Sequence, residues 1–247
     1  MNLQEFFEKH NKIALGFSGG VDSSYLLYAA NKYGADVSAY FIKTQFQPDF
    51  ELEDARKLAE DIGATFKILK GDALADEKVA ANPSNRCYYC KLNVFGMLME
   101  AAKADGYYTI IDGTNASDDA GDRPGMKALK EMKVFSPLKE CGLTKADVRK
   151  LSKEAGLFTW EKPSYACLAT RVQTGETITN EILERVEAAE AALFEMGYSD
   201  FRVRVLGNAA KLQMNSEYIE KVFKERKEIK SQLAPYFDDV LLDLKER

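Results

Sequence analysis

The sequence is poor in the residues that build mixed zinc sites: it has one histidine, His10, and four cysteines, Cys87, Cys90, Cys141 and Cys167. With His10 remote from the thiols and no second CxxC beside Cys87 and Cys90, a four-ligand zinc site is disfavoured. It also has no long Lys/Arg run, and its net charge is −5 with a pI near 5.2. The electrostatic footprint of a protein that grips a polyanion is therefore missing, and a nucleic-acid substrate is disfavoured, although net charge leaves a local basic patch open. There is no apolar stretch of about 18 residues to span a bilayer. The opening segment, MNLQEFFEKHNK, lacks the basic stretch and apolar run of a targeting peptide, so a cytoplasmic location is expected. In that reducing setting the cysteines point to metal binding, catalysis or burial rather than to disulfides. Internal repeats and low-complexity tracts are absent.

What is there is an ordinary globular composition, 46% hydrophobic and 30% charged, in 247 residues. That length accommodates a nucleotide-binding domain and a smaller companion. Short apolar runs at 12–17, 36–42, 65–69 and 107–111, with a brief one at 134–135, read as strands. Amphipathic stretches at 21–33, 50–62 and 88–104 read as the helices between them. The alternation predicts an α/β fold with a doubly wound, mostly parallel sheet whose ligands bind at the carboxyl ends of the strands. Beyond Pro137 the pattern changes: a capped helix after Thr144, a long loop over 162–177, helices at 180–196 and 217–234, and strands at 201–206, 209–214 and 238–242. This predicts a small C-terminal α+β domain, with the chain divided as 1–140, a connecting segment with a cysteine loop over 141–178, and 179–247.

The strongest signal is Gly16-Phe17-Ser18-Gly19-Gly20-Val21-Asp22-Ser23-Ser24, which follows the first strand and opens the first helix. A glycine pair lets the backbone approach a ligand closely, and hydroxyls with free N–H groups at a helix N-terminus make an anion site. No Gly-Lys-Ser/Thr follows, so it is not a Walker A loop, and the GxGxxG spacing of dinucleotide folds is absent. In isolation the same residues also describe a capped, glycine-rich turn. The stretch resembles the SGGxDS signature of the PP-loop ATP pyrophosphatases, which cleave ATP between the α- and β-phosphates. The resemblance implies that Ser18, Gly19, Gly20, Asp22 and Ser23 hold the departing pyrophosphate, with Asp22 helping to place Mg²⁺. Phe17 is counted with this loop, although, like Trp160, it has the burial tendency of a core aromatic.

A second polar loop, Asp112-Gly113-Thr114-Asn115 followed by Asp118, Asp119, Asp122 and Arg123, ends the fourth strand and should lie beside the first loop. Its carboxylates suit Mg²⁺ or the positioning of an attacking oxygen, and Arg123 can neutralise developing charge. Taken alone it is also a solvated Asp/Gly/Asn turn. Asn85-Arg86-Cys87-Tyr88-Tyr89-Cys90-Lys91 sets two thiols three apart at a helix start, which suits zinc, an iron–sulfur cluster or a redox dithiol. Cys167, in Lys162-Pro163-Ser164-Tyr165-Ala166-Cys167-Leu168-Ala169-Thr170-Arg171, sits four residues before an arginine, a setting that suits a reactive thiolate. Three cysteines from two segments could hold three irons of a cubane and leave the fourth open. Cys141 has no partner nearby in sequence and reads as a small buried residue.

Taken together, SGGVDSS, NRCYYCK, DGTNASDDAGDRPG and KPSYACLATR resemble the LarE family of ATP-dependent sulfur transferases. The resemblance implies adenylation of pyridinium-3,5-biscarboxylic acid mononucleotide and conversion of its carboxylates to thiocarboxylates for a nickel-pincer nucleotide cofactor. A homo-oligomer is expected, with no nucleic-acid or membrane partner. One version of the family sacrifices the sulfur of the cysteine matching Cys167; the other binds a [4Fe-4S] cluster through cysteines matching Cys87, Cys90 and Cys167. All three are present here, which favours the cluster version, with ATP, Mg²⁺ and the cluster as cofactors. Arg171, Arg202 and Arg204 offer cations for the mononucleotide phosphate; Arg202 and Arg204 alternate along a predicted strand and so share a face. A PP-loop tRNA thiolase, an ammonia-using synthetase and a non-catalytic nucleotide-binding module remain as alternatives.

Overall fold

The computed structural model describes residues 1–118 and 124–245. It divides into two compact units, Met1–Ala73 with Asn85–Lys162, and Leu74–Ser84 with Pro163–Arg247.

The first unit opens with α1 (Leu3–Lys9), started by a reciprocal capping box between Asn2 and Glu5. Then come β1 (Lys12–Gly16), α2 (Val21–Lys32), β2 (Asp36–Lys43), α3 (Asp49–Ile62) and β3 (Thr65–Lys70). The alternation predicted from sequence is the one observed, and the sheet is parallel because each strand returns through a helix. After α4 (Glu77–Ala80), which belongs to the second unit, the first resumes with α5 (Arg86–Ala104), β4 (Thr109–Ile111), α6 (Pro124–Glu131), α7 (Pro137–Glu140) and α8 (Lys145–Glu154). The sheet runs β3-β2-β1-β4, so β1 is central, with β2 on one side and β4 on the other.

Successive side chains of a strand point to opposite faces. Ile13, Leu15, Val37, Ala39 and Phe41 join one core cluster with residues of α1, α2, α3 and α8. Ala14, Tyr40, Ile42 and Ile110 join another with Phe95 and Leu98 of α5 and Leu129 of α6. Both faces of the sheet are thus covered by helices, as a doubly wound parallel sheet requires. The strand expected at 107–111 begins only at Thr109, because Gly106 (φ 81°) and the Tyr107 N–H, bonded back to the Ala102 carbonyl, are still ending α5. The run at 134–135 contributes a single parallel bridge, Phe135 to Ile111.

The second unit holds α9 (Asn180–Glu195), β5 (Arg202–Leu206), β6 (Ala209–Gln213), α10 (Ile219–Leu233) and β7 (Asp239–Leu242). Its mixed sheet runs β5-β6-β7, with an antiparallel hairpin and a parallel return through α10. Residues 74–84 belong here because they are bonded to the segment before α9. Asn82 donates from Nδ2 to the Gln173 carbonyl at 2.9 Å, and Gly175 and Ile178 donate to the carbonyls of Asn82 and Ala80.

Candidate active site

The turn between β1 and α2 carries the phosphate-loop motif at the end of the central strand. Two strands lie on one side of β1 and β4 on the other, so the crevice of the doubly wound sheet opens here. A cavity of about 300 Å³ is lined by Phe17, Ser18, Gly20, Asp22 and Ser23 from this turn and by Asp112, Gly113, Thr114 and Asp118 from the turn after β4. Ser23 donates from Oγ to the Gly20 carbonyl at 3.2 Å and accepts from the Ser18 N–H at 3.3 Å; the two serine hydroxyls lie 3.1 Å apart. Gly19 has φ 69°, and a Cβ there would meet Ala55 Cβ at 3.0 Å and the Glu51 carbonyl at 3.1 Å. Phe17 is buried in the core while lining the cavity.

The two turns are in direct contact. A Cβ on Gly113 would lie 2.9 Å from the Ser23 nitrogen and 3.2 Å from its Cα, so the β4 turn presses its backbone against the first turn of α2. Asp112 is buried and accepts from the Thr114 hydroxyl (2.5 Å) and the Ser136 hydroxyl (2.7 Å), which makes it the internal brace of its turn. Asp22, in the first turn of α2, accepts from Asn115 Nδ2 at 3.2 Å and from Lys145 Nζ at 2.5 Å. Asp119, Asp122 and Arg123, expected in this loop, lie outside the described residues.

Cys87 and Cys90 fall in the first turn and a half of α5, with Cys87 exposed and Cys90 half-buried. The Arg86 guanidinium reaches the Cys87 sulfur at 3.8 Å. No disulfide joins the cysteines. Among the described residues, no three His, Cys, Asp or Glu side chains within either unit gather into a group that could hold a metal ion. Cys141 ends α7 and packs against the first core cluster; burial pushes its thiol up.

In the second unit Cys167 immediately precedes a 3₁₀ turn, Leu168–Arg171, and Arg171 folds back to hold the segment. Arg171 is 1% exposed and meets Glu190 of α9 through Nε to Oε1 (2.8 Å) and Nη2 to Oε2 (3.0 Å). Its Nη1 donates to the Ala166 carbonyl at 2.7 Å and to the Thr170 hydroxyl at 2.9 Å. The guanidinium stacks over Tyr165 with 4.5 Å to the ring centroid, and the Tyr165 hydroxyl donates to Glu190. Burial first, and the adjacent Glu190, set the opposing influences on this guanidinium, with the outcome raised. Arg202 and Arg204 share the β5 face opposite to buried Val203 and Val205. Arg204 donates to Gln213 and to the Thr170 carbonyl, whereas the buried Nε of Arg202 has no hydrogen-bond partner among the described residues. Burial, then the charges of Arg171 and Arg204, push the Arg202 guanidinium down. A cation held in that state favours an anionic partner.

Residues 8–84 match the asparagine synthase family. The chain is 32% identical over 205 residues, 82% of its own length and 74% of the relative's, to the pyridinium-3,5-bisthiocarboxylic acid mononucleotide synthase of Lactiplantibacillus plantarum. It belongs to the LarE family. An uncharacterized protein of Synechocystis sp. is 37% identical over 91% of this chain and 84% of that one. A tRNA-specific 2-thiouridylase of Clostridium botulinum is 28% identical, covering 61% of this chain and 52% of its own length.

This LarE-family chain is an ATP-dependent sulfur transferase of the PP-loop superfamily, and membership implies ATP and Mg²⁺. The residues fit that pair. Asp22 offers a hard oxygen at the cavity wall, and Mg²⁺ is typically held by one or two carboxylates with the rest supplied by phosphates and water. Sequence reasoning missed three lysines at this loop. Lys145 reaches Asp22 from α8; Lys91, one residue after the CxxC pair, lines the cavity; Lys162 pairs with Asp54 at 2.7 Å and reaches the Gly19 carbonyl at 3.5 Å. A lysine that meets its partner 123 residues away leaves no local pattern to find. No helix among the described residues is long and apolar enough to cross a membrane.

Proposed function

We propose that this protein adenylates a carboxylate of pyridinium-3,5-biscarboxylic acid mononucleotide and converts it to a thiocarboxylate, the bisthiocarboxylic mononucleotide being the product for which the Lactiplantibacillus relative is named. The observation that carries the reading is the serine–glycine cradle at the crevice of the sheet, with Asp22 on its wall. The substrate carboxylate attacks the α-phosphorus and pyrophosphate leaves into the cradle, where loop N–H groups, the two serine hydroxyls and the N-terminus of α2 meet its charge. Mg²⁺ on Asp22 supplies Lewis-acid neutralisation of the same charge when bound. A sulfur nucleophile then attacks the acyl carbon and AMP leaves; sulfur needs no dedicated base because it is nucleophilic near neutral pH.

Arg202 and Arg204 are the residues we assign to the mononucleotide phosphate, supported by the unpartnered Nε of Arg202. Arg171 acts as a positioning residue that holds the Ala166 carbonyl before Cys167 and the Thr170 hydroxyl after it. Gly113 and Thr114 line the nucleotide cavity, and Arg123 and Asp119 are proposed for charge neutralisation and nucleotide binding there.

Cys87, Cys90 and Cys167 would ligate a [4Fe-4S] cluster. The paired thiols of α5 have the chemistry and spacing of iron ligands, and neither is tied up in a disulfide. Such a cluster would supply a transferable sulfide and so allow repeated turnover. The protein is further proposed to be cytoplasmic and homo-oligomeric, with a small-molecule substrate and no nucleic-acid partner.

The test is release of pyrophosphate from ATP that depends on the biscarboxylic mononucleotide, with mass spectrometry of the sulfur-bearing product. Ammonia-dependent turnover, or pyrophosphate release only with tRNA, would replace this reading. Protein prepared without oxygen should contain iron and acid-labile sulfide, diminished in Cys87→Ala and Cys167→Ala. Full iron in both variants would exclude those thiols as ligands, and a Cys167 mass loss equal to hydrogen sulfide after turnover would favour sacrifice.

A further inference from the structure

We infer that Lys145 is the resident counter-cation of the phosphate loop: a positioning residue that neutralises Asp22 while no metal is present and yields it when the divalent cation arrives with the nucleotide. The inference rests on the ATP and Mg²⁺ reading of the loop and assigns a task to a residue which that reading leaves unused. Asp22 lines the cavity and Lys145 is not among its described lining residues; the ammonium meets the carboxylate at 2.5 Å from α8.

The lysine is held in place from both directions. Thr144 and Asp147 form the capping box that starts α8, which fixes the backbone at Lys145 as the first helical residue. The Lys145 N–H donates to the Ser117 hydroxyl at 2.9 Å, and the Ala116 N–H donates to the Leu143 carbonyl at 2.7 Å, so α8 is stitched to the loop after β4. Asn115, from that same loop, takes the other Asp22 oxygen.

The electrostatics make the pairing consequential. The cavity wall carries Asp22, Asp112 and Asp118 against one lysine, Lys91, among its described lining residues. An uncompensated Asp22 would repel a polyphosphate entering without metal, and the Lys145 ammonium cancels that charge at contact distance. A divalent ion held by Asp22 would supersede it, because two positive charges at the carboxylate outweigh one.

Calorimetric titration of the full chain with inorganic pyrophosphate, once in EDTA and once with saturating Mg²⁺, separates the alternatives. Lys145→Met should weaken metal-free binding by about tenfold or more and binding with Mg²⁺ by less than about threefold. Lys145→Arg, which keeps the charge, should stay within about threefold of the parent in both conditions. Equal losses with and without Mg²⁺ would make Lys145 a direct phosphate ligand or a fold support and overturn the inference, as would an unchanged metal-free affinity. Failure of the parent protein to bind pyrophosphate even with Mg²⁺ would overturn the phosphate-loop reading and this inference together.

Discussion

The phosphate loop and the Cys167 segment are both polar turns, yet they are held by opposite means. The phosphate loop is held by itself: Ser18, Gly20 and Ser23 bond one another within six residues, and glycine at 19 and 113 removes the side chains that would block the approach. The Cys167 segment is held from a distance, by an arginine whose fork closes on Glu190 nineteen residues further along the chain. A locally wired site survives as a motif. A remotely wired one depends on a buried ion pair, and a buried pair resists only as long as both partners are present.

The sharpest way to break that contrast is Glu190→Ala. It strands a guanidinium that is 1% exposed and removes the acceptor of the Tyr165 hydroxyl and the Val203 N–H. Loss of one partner from such a pair costs about 3–5 kcal/mol, read as a shift of the denaturation midpoint. A cost below about 1 kcal/mol, the range of exposed pairs, would mean that the segment does not depend on this clamp. Next in size, Gly113→Val drives a branched side chain into the Ser23 backbone at the mouth of the cradle. Pyrophosphate release from ATP should fall roughly 10²-fold, because displacement of about 1 Å at a catalytic anion site has effects of that order. Gly19→Ala tests the same loop from the other side, combining a left-handed backbone with crowding against α3. It should cost about 1–3 kcal/mol in urea unfolding, and a stability gain would show that the loop is slack.

The contrast also explains what could be read without coordinates. The parallel α/β order, the capped start of α8 at Thr144 and the phosphate loop were legible because each is written in contiguous residues: short continuous apolar runs between amphipathic stretches, a threonine cap, a glycine–serine turn. The neighbourhood of the two cavity-lining turns followed from topology, since β1 and β4 pair directly. What stayed hidden depends on pairs remote in sequence. The Lys145–Asp22 bridge, the Arg171–Glu190 clamp and the recruitment of residues 74–84 into the second unit by Gln173, Gly175 and Ile178 have no periodicity and no motif. The charge of Arg171 is visible in the sequence, but the Glu190 carboxylate that occupies it lies in α9.

A smaller effect depends on pH. In the first unit the phenols of Tyr25 and Tyr40 are pushed up to about 12, in both cases chiefly by burial; neighbouring phenols add to it for Tyr25, and the bond to Asp105 adds to it for Tyr40. Folded values above the unfolded value of about 10 mean that the unfolded chain loses these protons first as pH rises. The stabilisation is therefore complete below about pH 10 and declines between about 10 and 12. Urea midpoints measured across that window should fall, and Tyr40→Phe should flatten the fall; an unchanged slope would place the alkaline loss elsewhere.

The smallest expected effect belongs to Cys141, and it tests whether this thiol only fills space. Its side chain packs against the first core cluster at the end of α7, and burial pushes its thiol up, which suppresses the nucleophilic thiolate. Cys87, by contrast, is exposed in the first turn of α5. Alkylation by iodoacetamide in the native protein, followed by peptide mass spectrometry, should modify Cys87 well before Cys141. Cys141→Ala should cost about 1 kcal/mol of stability for the lost sulfur contacts and leave turnover within about twofold. A tenfold fall in turnover with stability intact would move Cys141 into the sulfur-transfer machinery, and the partition of four cysteines into three that react and one that packs would have to be redrawn.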